Sequence, residues 1–120
     1  MKKYKRESDY QSDLIDKITN RFPGAYVLKN DSSYIQGIPD LTVLWKKKWA
    51  TLEVKKSKED YEKDFTPNQH YYVDDMNSLS FSSFIFPEIE QEVLDAMEQS
   101  FLGRARRGSR ISGSESIFMA

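Results

Sequence analysis

Two acids and a lysine stand out by type and spacing. Asp40 closes the run Gly37-Ile38-Pro39-Asp40, and after twelve intervening residues comes Glu53-Val54-Lys55. The segments between them are apolar, 41–45 and 49–52, and are separated by Lys46-Lys47-Lys48. Antiparallel pairing about those lysines brings residue 40 alongside 53–55. In a strand with a two-residue period, Glu53 and Lys55 project from one face and Val54 from the other, into a core. Two carboxyls forced together cost free energy unless something compensates them. A divalent cation does so. Magnesium takes hard oxygen ligands, accepts one or two carboxylates plus waters, and keeps positions for a substrate phosphate. Asp40 and Glu53 are the expected ligands, with the Val54 backbone carbonyl as a third, and manganese is expected to substitute. Lys55 would position or activate an attacking water, or stabilise developing charge. Gly37 and Pro39 would shape the turn that presents Asp40. Taken singly, an acid at a strand start or a Glu-x-Lys in a strand is ordinary surface. The conjunction points to phosphodiester hydrolysis.

The elements that must position these residues follow from periodicity. Residues 7–21 form an amphipathic helix with Tyr10, Leu14, Ile15 and Ile18 on its apolar stripe, stopped by Pro23-Gly24. Strands are predicted over 25–29, 40–45 and 49–54, the last two as a hairpin around a Lys46–Lys48 turn. Residues 56–66 are charged and lack apolar periodicity, which predicts a loop or an exposed helical turn. Pro67 opens a helix to about Met76, with Thr66 as N-cap. A fourth strand runs from Leu79 to Phe86, and Pro87 begins a last helix to about Leu102. The order is α-β-β-β-α-β-α, an α/β (α+β) domain with a mixed sheet of about four strands flanked by helices. One domain is expected over 1–102, followed by a basic, mobile tail over 103–120.

At 120 residues, with no cysteine, the chain can bury a core but cannot build disulfides or thiolate zinc sites. No run of about twenty apolar residues exists to span a membrane. The N-terminal charges have no apolar segment behind them, so no secretory signal is expected, and a cytoplasmic location is. The net charge of −1 hides segregation: basic residues cluster at 2–6, 46–48 and 104–110, acidic ones at 59–64, 74–75 and 88–98. Such blocks permit a basic face, or are simply solvated surface.

The segments GIPDLTVLW and WATLEVKKS resemble the core of the PD-(D/E)xK nuclease superfamily, most closely its VRR-NUC domains and archaeal-type Holliday-junction resolvases. The resemblance spans about residues 7–86. It implies a restriction-endonuclease-like core, an acid on the first helix, matched by Glu7 (with Asp9 or Asp13 as alternatives), and a polar residue on the later helix, matched by Gln69. It also implies a magnesium-dependent DNA endonuclease, selective for branched, junction or flap DNA and working as a homodimer. The compactness suggests a bacterial or bacteriophage origin. The region 88–120 has no counterpart in that pattern.

Other features carry softer expectations. Tyr34, Lys46, Lys47, Lys48, Arg104, Arg106 and Arg107 are placed to touch DNA, the arginines through charge alone. His70, the only histidine, is expected to be structural or exposed, and a single histidine excludes a His-metal nuclease motif. Tyr71, Tyr72, Phe81, Phe84 and Phe86 are expected in the core rather than stacked on bases. The competing readings are a sequence-specific (restriction or homing) endonuclease, an exonuclease, a non-catalytic nucleic-acid-binding module on a retired nuclease fold, or a structural domain.

Overall fold

A computed structural model describes residues 2–103. Helix α1 spans Glu7–Arg21, as its periodicity requires, with Tyr10, Leu14 and Ile18 fully buried. Strand β1 (Tyr26–Lys29) pairs antiparallel with β2 (Leu41–Trp45), and β2 with β3 (Lys48–Val54). A short helix α2 (Lys58–Lys63) and helix α3 (Pro67–Leu79) then carry the chain across to β4 (Phe81–Ile85), which lies parallel to β3. The sheet order is β1-β2-β3-β4, mixed as expected. A 3-10 turn at Pro87–Ile89 leads into α4 (Glu90–Phe101).

The sheet divides its duties between two faces. Leu41, Val43, Ala50, Leu52, Val54, Phe81 and Ile85 project to one side and join Tyr10, Leu14, Ile18, Val93 and Met97 in a single apolar core under α1 and α4. The intervening residues project to the other side. There Thr51 bonds Ser82 (2.7 Å) and touches Met76 of α3 (3.5 Å), so the buried hydroxyls are satisfied. Ion pairs from Lys17 to Glu90 and from Arg21 to Asp95 and Glu98 link α1 to α4. Partly exposed pairs of this kind contribute little beside the apolar burial.

Several local expectations are corrected. The hairpin turn is the two-residue Lys46-Lys47, both at positive φ (52° and 65°), with Lys48 already in β3. A two-residue connection of that hand matches the twist of the strands, which is why non-glycine residues are held there. Helix α3 continues to Leu79, so β4 begins at Phe81, and Leu79 is exposed. Thr66 stands at the N-cap without a side-chain bond. Tyr71 points outward, not into the core, whereas Phe81, Phe84 and Phe86 are buried as expected. Among the described residues no helix is long and apolar enough to cross a membrane.

Leu14→Ala should cost about 2–5 kcal/mol of stability, because a fully buried side chain leaves a cavity. Urea denaturation checks this; a cost below 1 kcal/mol would mean that α1 is not seated on the core as described.

Candidate active site

The hairpin brings the acids together. Leu41 faces Leu52 in the β2–β3 register, so Asp40 and Glu53 stand one step further along, side by side. The turn before Asp40 is held firmly. Asn30 donates through its side chain to the Pro39 carbonyl (2.9 Å) and to Thr42 Oγ1 (2.8 Å), and its backbone N–H bonds the Asp40 carbonyl. Gly37 has φ of 91°, and a Cβ there would lie 2.5 Å from Asn68 Cβ. Glycine is therefore required both by the left-handed backbone and by the close approach to α3. The contact locks the Asp40 turn to the first turn of α3, which carries Gln69.

Asp40 accepts a 2.8 Å hydrogen bond from the Val54 N–H through Oδ2. Pro39, which the register sets opposite Val54, has no N–H to offer the Val54 carbonyl in return. Glu53 is 2% exposed, and its Oε1 has no hydrogen-bond partner. Burial, then the neighbouring Asp40, push its carboxyl up to about 9. Asp40 is also raised, chiefly by burial, against the opposing pull of the Val54 N–H. The two carboxyls are close enough to share one proton.

Lys55 is 3% exposed and donates to Gln69 Oε1 (3.0 Å) and Asp64 Oδ2 (3.3 Å). An ammonium has three donors, so one remains for another acceptor. Glu7 begins α1, half-buried, and its carboxyl is raised first by burial and then by Asp40, with Lys55 pulling the other way. Among the three candidate acids of the first helix, Glu7, Asp9 and Asp13, the geometry favours Glu7. Asp9 is taken up by Arg6 (3.0 and 3.1 Å), and Asp13 by Lys2 (3.1 Å) and Tyr4 (2.9 Å).

Asp40, Glu53, Lys55, Gln69 and Glu7 thus gather at one end of the sheet. Asp64 joins them through Lys55; the acidic stretch 59–64 has no periodicity from which its direction could be read. Lys46, Lys47 and Lys48 are not part of this end. At about 3.3 Å per residue, their turn lies about 20 Å along β3 from Glu53, and Lys46 rests over the Trp45 ring. Tyr34 is exposed in the loop preceding Gly37. Arg104, Arg106 and Arg107 lie outside the described residues.

The donor set suits a hard divalent cation. Glu53 offers a buried oxygen without a partner, and Asp40 keeps Oδ1 free of the Val54 N–H. Among the described residues no group of three or more acidic or histidine side chains is placed to hold a metal ion by itself. An ion here would complete its shell with water and a substrate oxygen, as magnesium commonly does.

Stability should follow the acids. Below about pH 4.5 Glu53 is protonated whether the chain is folded or not. As pH rises toward about 9 the unfolded chain ionises freely while the folded site resists, so the fold loses stability over that window. Asp40 and Glu7, also raised, act with the same sign. Urea midpoints in chelator should fall from about pH 5 to about pH 9, and Glu53→Gln should flatten most of that slope; a rising midpoint would contradict the burial. Gly37→Ala should cost about 1–3 kcal/mol or more in the same assay, and an unchanged midpoint would mean the turn is free of α3. No protein-family model, curated protein or solved structure matches the chain significantly, so its function must follow from this geometry.

Proposed function

We propose that the chain is a magnesium-dependent DNA nuclease of the PD-(D/E)xK type. The observation that carries this reading is the buried Glu53, with one oxygen unpartnered, beside the half-buried Asp40 and the buried Lys55. A carboxylate pair kept at such cost has a use if a cation replaces the proton. Asp40, Glu53 and the Val54 carbonyl would hold that ion. When bound, the ion supplies Lewis-acid polarisation of the phosphodiester.

The remaining residues have parts in the same scheme. Lys55, fixed by Gln69 and Asp64, directs its third N–H at the attacking water or at the charge that develops on the phosphate. Gln69 and Asp64 act through Lys55 as positioning residues. Glu7 closes the site from α1 and lies within electrostatic reach of Asp40 and Lys55. Next to Lys56 a cavity of about 420 Å³ is lined by Lys2, Lys3 and Lys56 but also by Glu59 and Glu88. The favoured substrate is branched, junction or flap DNA, cut by a homodimer that offers one site to each strand.

Asp40→Ala and Lys55→Ala should each lower cleavage about 10²-fold or more. The assay uses labelled linear duplex, single-stranded, flap and four-way-junction DNA with magnesium, manganese or chelator. Metal-dependent cutting of flap or junction supports the full proposal, and cutting of one linear sequence supports a site-specific enzyme. Cleavage by either variant at the parental rate would overturn the mechanism, and no cutting by the folded parent would favour a binding module.

A further inference from the structure

The side of the site nearest α3 carries a column of rings that the catalytic reading does not use. Phe84 is the β4 register partner of Glu53, so it rises from the sheet next to the buried acid and on the same face. His70 packs on Phe84 with centroids 4.6 Å apart, and Phe65 stacks on His70 at 4.6 Å and 27° between planes. Tyr61 supports the base of the column against Phe84 at 5.0 Å and Phe86 at 5.1 Å. The inner ring is buried, yet the outermost one, Phe65, is 66% exposed. It adjoins Asp64, which bonds Lys55, while His70 adjoins Gln69, which bonds the same ammonium. The column therefore begins beside Glu53 and ends in solvent beside the residues that hold Lys55.

An exposed phenylalanine of this kind leaves one ring face free while the other is fixed by stacking. Orienting it costs little on binding, because His70, itself packed on Phe84, already holds it. Nucleobases present flat faces to such a ring, and each base stacked on an aromatic contributes affinity with little regard to sequence. A base inside a duplex has both faces covered by its neighbours and is not free to stack.

We propose that Phe65 is a stacking platform for an unpaired base of the DNA strand entering the active site, so that the enzyme selects substrates with unpaired nucleotides next to the scissile bond. The inference rests on the nuclease reading and narrows its substrate class. Phe65, backed by His70, is the specificity-determining residue, and the phosphate of the same strand passes toward Lys55.

The test measures binding separately from cleavage. The full chain is titrated, with calcium in place of magnesium, into a single-stranded oligonucleotide containing 2-aminopurine and into a blunt duplex of the same sequence. The parent should quench the 2-aminopurine fluorescence. Phe65→Ala should lower the ratio of single-strand to duplex affinity about tenfold, within the range that loss of one stacked base produces. Phe65→Trp should restore the ratio and the quenching, whereas Phe65→Leu, apolar but without a π-face, should not. An unchanged ratio in Phe65→Ala, full function in Phe65→Leu, or a parent that binds no single strand would overturn the inference. Cleavage with magnesium, assayed in parallel, separates the two readings. A parent that cuts DNA while Phe65→Ala keeps its ratio loses the platform and keeps the nuclease. A parent that stacks the base and never cuts loses the nuclease and keeps the platform.

Discussion

Glu53 is held almost entirely out of water next to a second carboxyl, and one of its oxygens has nothing to bond. An acid in that position resists ionisation and burdens the fold at neutral pH. The surrounding architecture keeps it there regardless. Strand β3 is central, paired on one side with β2 and on the other with β4, so Glu53 cannot swing away without breaking a sheet. The Asp40 turn is fixed from three directions: by Asn30, by the Val54 N–H, and by the close packing of Gly37 on Asn68. Lys55 is fixed by Asp64 and Gln69. A group of acids held this firmly keeps its arrangement without any bound partner.

The two faces of the sheet explain how so small a domain affords such a site. Most of the apolar burial falls on one side, where α1 and α4 cover the sheet and the core is continuous, while Phe84 and Val73 are buried on the other. The other side is only partly covered, by α3, and its buried polar side chains Thr51 and Ser82 satisfy each other. Stability comes mainly from the first face, which leaves the end of the second free to hold charged groups. Functional sites are commonly the places where local preference is overruled in this way.

Much of this was legible in the chain because two periods carry it. The 3.6-residue repeat of Tyr10, Leu14 and Ile18 fixes the inward face of α1, and the two-residue repeat across Leu52, Val54 and their neighbours fixes which way Glu53 and Lys55 point. The dependence of Asp40 on Gly37 and Pro39 was also readable, since both residues restrict the backbone. Other features were not. The phase of the first turn of α1, which favours Glu7 over Asp9 and Asp13, depends on Arg6, Lys2 and Tyr4 claiming the other two acids. Asp64 and Phe65 sit where charge and irregular backbone leave no pattern, so only the fold shows that one meets Lys55 and the other stacks on His70. Tyr71 looks like a core residue by composition and is not, because α3 rests on the sheet through Val73 and leaves its neighbour outside.

The most direct measurement is proton release on metal binding, obtained by calorimetric titration of the folded protein with magnesium or manganese near neutral pH in buffers of different ionisation enthalpy. If the proton held by Asp40 and Glu53 gives way to the ion, about one proton should leave per ion bound, and Glu53→Gln should abolish the release. Binding without proton release, or release unaffected by Glu53→Gln, would contradict the account of this carboxyl pair as a cation site.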